Sequence, residues 1–155
     1  MKRHIVKFDS HAIADFIVKG VARLSDYGYA RHIQNNLHSR SLEIIVILEK
    51  HIKELHDIYT IVNHKISMCE AIPTFFRSGD DKAFLFPAGV NVHFATPEEF
   101  ARNRDRWNVI GGVCESQFTS LLTASLKGED AEILILDDTP YRHIDKEITS
   151  YWNKN

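Results

Sequence analysis

Apolar positions along the chain fall into short blocks whose spacing changes between two and three to four, which predicts alternating strands and helices. Residues 4–8 are rich in Ile, Val and Phe and are expected to form a first strand ending at Asp9. Ser10 follows as a candidate N-cap, and Ile13, Phe16, Ile17, Gly20, Val21 and Leu24 make one helical stripe that stops near residues 25–28. Residues 29–40 are polar and carry at most one short helix through Ile33 and Leu37. Next comes the strongest periodicity: Ile45, Leu48, Ile52, Leu55, Tyr59, Val62 and Ile66 are spaced alternately by three and four, predicting one long heptad-patterned helix. Its β-branched start leaves a second reading, in which residues 42–48 alone are a strand. Broad as it is, the seam suits packing on a sheet, and a homodimer through the 45–66 helix is the sharper alternative.

Pro73 should stop that helix, and Ser78-Gly79-Asp80-Asp81 reads as a turn. Residues 83–86 and 90–94 flank Pro87-Ala88-Gly89 as a hairpin. Thr96-Pro97-Glu98-Glu99 is a complete helix start: Thr as N-cap, Pro at the first helical position, and Glu placed to close a capping box. That helix is expected to reach Trp107 and to be broken by Gly111-Gly112. Ser116 would cap a further helix ending at Gly128, residues 133–136 read as a strand covered on both faces, and residues 141–153 as a last helix. The order βααββααβα predicts a single α+β domain over 1–155, with a small mixed sheet of about four strands.

The 155 residues suit one core, and 44% hydrophobic with 26% charged residues excludes disordered and fibrous classes. A net charge of -2 gives no overall footprint for nucleic acid. The charge is unevenly placed, however: seven bases against three acids in the first forty residues, seven acids against three bases from Glu129 onward. Such ends can steer a charged protein partner, or meet each other within the fold. The longest aliphatic run, residues 44–48, is far too short to span a bilayer, and no secretory signal is legible, so a cytoplasmic location is expected. Cys69 and Cys114 form no C-x-x-C pair and read as small buried hydrophobes.

Candidate chemistry lies at two strand ends. Asp9 and His11 follow the first strand, and Asp137, Asp138 and His143 follow the 133–136 strand. Were these strands parallel neighbours, the five side chains would share one sheet edge and could hold a divalent cation for phosphate-ester hydrolysis. The plainer reading makes Asp9 and Asp138 turn and capping residues. Arg102, Arg106 and Trp107 combine guanidinium groups with an aromatic, as an anion or stacked-base site would, although ion pairing with Glu98 and Glu99 accounts for much of that patch. The nine histidines form no metal motif; His51 and His56 stand about 140° apart on a helix, His51 reads as a half-buried helix residue, and His93 as solvent-facing. No phosphate loop or activated nucleophile is visible, and no cofactor is expected outside the divalent-metal reading.

The stretch from Lys82 to Leu136, with its hairpin, Phe94-Ala95-Thr96-Pro97-Glu98-Glu99-Phe100, two helices and a hydrophobic strand, resembles the SseB N-terminal-domain family over about a third of the chain. The resemblance implies a small cytoplasmic bacterial domain of accessory or interaction type and supplies no catalytic residues. Taken together, these features favour a small interaction protein of the immunity, antitoxin or phage-encoded inhibitor type, binding a protein partner stoichiometrically. The metal-assisted phosphoesterase or nuclease and the nucleotide or nucleic-acid binder are the alternatives.

Overall fold

A computed structural model describes residues 1–72, 77–79, 83–87, 89–128 and 130–138. The elements run β1 (Lys2–Val6), α1 (Ser10–Leu24), α2 (Tyr27–Asn36), β2 (Leu42–Ile47), α3 (Leu55–Ser67), β3 (Arg77–Gly79), β4 (Ala83–Leu85), β5 (Val90–Ala95), α4 (Pro97–Asn103), β6 (Val109–Glu115), α5 (Thr119–Ser125) and β7 (Glu132–Leu136). Short 3-10 turns at Ile52–Glu54 and Ser116–Phe118 lead into α3 and α5. The expected helix over 141–153, the stop at Pro73 and the Asp80-Asp81 half of the expected 78–81 turn lie outside the described residues, whereas Ser78 and Gly79, expected in that turn, are strand residues of β3.

The α+β class holds, with a larger sheet than the four strands expected. Seven strands stand in the order β1-β7-β6-β2-β5-β4-β3. The first five are mutually parallel, β4 adds antiparallel to β5, and β3 adds antiparallel to β4 at the edge. Two strands account for most of the difference. Residues 42–47, expected at the head of a long helix, form β2 in the middle of the sheet, so the helical part of that segment is α3 alone. All six β2 residues are buried, with Ile44 and Val46 in the core on one face and Ile45 and Ile47 in the core on the other. A β-branched run with two apolar faces satisfies both strand and helix spacings; here burial on both faces, at roughly 1.5–3 kcal/mol per large aliphatic side chain, favours the strand. Ile58, Val62 and Ile66 of α3 turn inward to the core shared with α1, so the 45–66 segment presents no continuous helical seam.

Gly111 and Gly112, expected to break a helix, are interior residues of β6. A Cβ at Gly111 would stand 2.7 Å from the Glu132 carbonyl oxygen, and one at Gly112 2.3 Å from that of Ile45. The pair is therefore what lets β6 sit close between β7 and β2. Helix α4 ends at Asn103, short of Trp107. Its start is as expected: the Thr96 hydroxyl accepts from the Glu99 amide at 3.2 Å, with Pro97 in the first turn.

Helices α1, α2 and α3 cover one face of the sheet, and Phe100 of α4 and Leu122 of α5 cover the other. The chain thus leaves β2 toward one face and β6 toward the other. Adjacent parallel strands whose connections diverge in this way open a crevice at their carboxyl ends. No helix of the described residues is long and apolar enough to cross a membrane.

Candidate functional site

The parallel pairing of β1 with β7, in register from Lys2 opposite Glu132 to Val6 opposite Leu136, brings Asp9, Asp137 and Asp138 to one sheet edge. There the three residues are held in different ways. Asp9 is the N-cap of α1, one place ahead of the Ser10 expected; its Oδ1 accepts from the amides of His11 at 2.9 Å and Ala12 at 3.4 Å. The His11 side chain is exposed. Asp137 extends the ladder by donating its amide to the Val6 carbonyl at 2.9 Å. Asp138 Oδ2 lies 2.8 Å from Lys50 Nζ and 2.8 Å from His51 Nε2. The hydrogen bond from Lys50 is the main reason the Asp138 carboxyl sits below its ordinary range, and the same contact raises the Lys50 ammonium. His143 lies outside the described residues.

His51 is not on a helix face, as the periodicity suggested, but in the turn after β2. Its ring stacks on Phe8 with centroids 4.1 Å apart, so the loops after β1, β2 and β7 meet at this one imidazole. The turn is held from beneath by Glu115, the last residue of β6. Glu115 is 2% exposed, and its carboxylate accepts the consecutive amides of Glu49 (3.2 Å), Lys50 (2.9 Å) and His51 (2.7 Å), together with Gln117 Nε2 at 3.1 Å. Successive amides converging on one anion form a nest, and here a side chain of the same chain fills it. Filling it fixes Lys50 and His51 on the Asp138 side of the crevice. Glu115, Lys50 and His51 were not among the expected site residues, because main-chain donors leave no mark in a sequence; the one available signal was a lone acid closing the apolar stretch 109–114.

Among the described residues no group of three His, Cys, Asp or Glu side chains is arranged to hold a metal ion. The chemistry visible at this edge is charge pairing: a carboxylate shared by an ammonium and an imidazole above a carboxylate caged by amides.

The second expected site divides. Arg102 and Arg106 are exposed, whereas Trp107 is half-buried, stacked on His93 at 4.4 Å and tilted against Phe100 at 6.2 Å. Trp107 therefore closes the α4 side of the core. His93, expected to face solvent, lies beneath it with Nε2 buried and without a hydrogen-bond partner, and burial pushes its imidazole down to about 4. Cys114 is fully buried, as expected, with its thiol pushed up to about 11 by burial, while Cys69 is half-buried. The two oppositely charged ends do meet in part: Glu132 lies 3.6 Å from His4 and 3.5 Å from Arg23.

Compared with known proteins, the chain matches no family model, no curated protein and no solved structure.

Proposed function

We propose that the chain is a stoichiometric protein-binding module, of the immunity, antitoxin or inhibitor kind, which takes its partner as an added strand along the outer edge of β1. The observation that carries this reading is the state of that edge. Among the described residues β1 has a strand neighbour on one side only. Lys2 donates to Ala131 and Val6 accepts from Asp137, so the alternate main-chain groups, those of Arg3 and Ile5, point away from the sheet. Lys2, Arg3, His4 and Ile5 are exposed, Ile5 to 60%. An open edge is a template for a further strand, and the flanking Lys2 and Arg3 select an acidic one.

Arg3→Pro tests this, because proline is tolerated on an edge strand while removing one outward-facing amide. The wild-type chain should retain a partner from its source cells, and Arg3→Pro should bind that purified partner at least about tenfold more weakly with its melting temperature little changed. Equal binding by the two proteins would refute the edge as the site.

A second reading, metal-assisted phosphate-ester hydrolysis at the carboxyl edge, is favoured by the adjacency of β1 and β7, which gathers Asp9, Asp137 and Asp138. It requires that a divalent cation displace Lys50 from Asp138. Asp137→Ala should then abolish metal-dependent turnover without unfolding the protein; turnover retained by the variant would end this reading.

A further inference from the structure

At the opposite end of the sheet, the amino edge of β6 and β7, three neighbouring hollows are bordered by the end of α1. The largest of the three, about 440 Å³, lies between α2 and Lys127, Gly128, Asp130 and Ala131; a second, about 290 Å³, is bordered by Met1 and Lys2; a third, about 200 Å³, reaches under α1. Arg23, in the last turn of α1, borders all three. Depth comes from missing side chains and one extra residue. Gly20 and Gly111 line the inner hollow. The β2–β6 register jumps from Glu43 opposite Val109 to Ile44 opposite Gly111, which leaves Ile110 as an unpaired bulge residue in the groove wall.

The groove has one apolar side and one cationic rim. Ile110, Ala131, Ile33 and Leu37 supply the apolar surface. At the rim, the Arg23 guanidinium lies 5.8 Å from the Tyr29 ring centroid and touches Glu132 through one nitrogen at 3.5 Å, so among the described residues most of its donor fork is unused. Lys127 Nζ contacts the neutral amide oxygen of Asn108 at 3.3 Å. Among the described residues Asp130 is the carboxylate bordering the largest hollow, against Arg23 and Lys127, and Glu132 borders the other two. A volume of this size suits a small molecule, and a flat apolar body with a single anionic group satisfies both sides at once.

We propose that the groove between α2 and Lys127, Gly128 and Ala131 binds a small aromatic anion, its ring against Ile110 and Ala131 and its carboxylate, sulfonate or phosphate between Arg23 and Lys127. The site is separate from the β1 edge used for a protein partner, and neither proposal depends on the other. The probe is 8-anilinonaphthalene-1-sulfonate, titrated into the full chain while its fluorescence is followed. Saturable one-to-one binding is expected, weakened about tenfold or more by Lys127→Glu and by Arg23→Gln, and unchanged by Arg106→Glu, which alters net charge as Lys127→Glu does but lies on the α4 side of the molecule. His32→Glu, at an exposed position on the groove rim, repeats the test should Lys127→Glu lower the melting temperature. Absence of saturable binding, insensitivity to all three groove substitutions, or an equal loss with Arg106→Glu would each overturn the proposal.

Discussion

Glu115 and Glu43 lie at opposite ends of the β2–β6 pair, 2% and 3% exposed. Glu115, at the carboxyl end, is caged by three consecutive amides and the Gln117 side chain. Glu43, at the amino end, accepts from the Asn108 amide at 2.7 Å and from Asn91 Nδ2 at 3.4 Å. For Glu43 burial outweighs these donors, with help from Ser41 and the charge of Lys127, and its carboxyl is held above the usual range. Equal burial therefore does not mean equal standing. A carboxylate surrounded by converging donors organises the loop that supplies them, whereas for Glu43 the donors do not offset the cost of burial.

The largest expected effect comes from emptying the cage. Glu115→Ala removes a buried carboxylate and leaves the three amides it holds without their acceptor, and should cost about 3 kcal/mol or more in urea unfolding. A loss under about 1 kcal/mol would mean the turn 49–51 stands without its anion. His93 extends the comparison to a buried group with no donor or acceptor for its Nε2. Its folded value of about 4 lies below the ordinary 6.5. Between those values the unfolded chain binds the proton and the folded chain does not, so stability falls as pH drops from 6.5 toward 4, by about 2 kcal/mol at pH 5. His93→Phe, which keeps a ring against Trp107, should remove that loss, giving a melting temperature raised more at pH 5 than at pH 8. An identical gain at both would discard the titration as the cause. Smallest is Glu43→Gln. Because the folded carboxyl is raised above 4.5, the folded chain holds the proton longer, so the stability of the wild type falls as pH rises through that window. The glutamine variant should lack this fall and match or exceed the wild type at pH 7 by about 1 kcal/mol or less; a variant clearly less stable at pH 7 would show that the ionised form is fully satisfied.

Legibility in the sequence followed the range of the interaction. Helix α1, the β4–β5 hairpin and the Thr96 cap are set by neighbours within a few residues, and each stands close to where its spacing placed it. Strand β2 needed knowledge of what lay on either side, since Ile44 to Ile47 fit a helix seam equally well. Gly111 and Gly112 looked like a break because their reason lies in the carbonyls of Glu132 and Ile45, across two neighbouring strands. At the site, the carboxyl-edge placement of Asp9, Asp137 and Asp138 was foreseeable once β1 and β7 were supposed adjacent. Their partners were not: Lys50 and His51 reach Asp138 only because Glu115 folds the turn that carries them.

The pairing of β1 with β7 also bears on how the chain is made. β1 pairs with a strand about 130 residues later in the chain, while every other parallel contact in the sheet can close over a shorter separation. During that wait β1 is a nascent strand with no docking surface, the kind of segment that joins onto other unfolded chains. Charges flanking an apolar strand disfavour such encounters, and Lys2, Arg3 and Lys7 are placed at β1 as such charges would be.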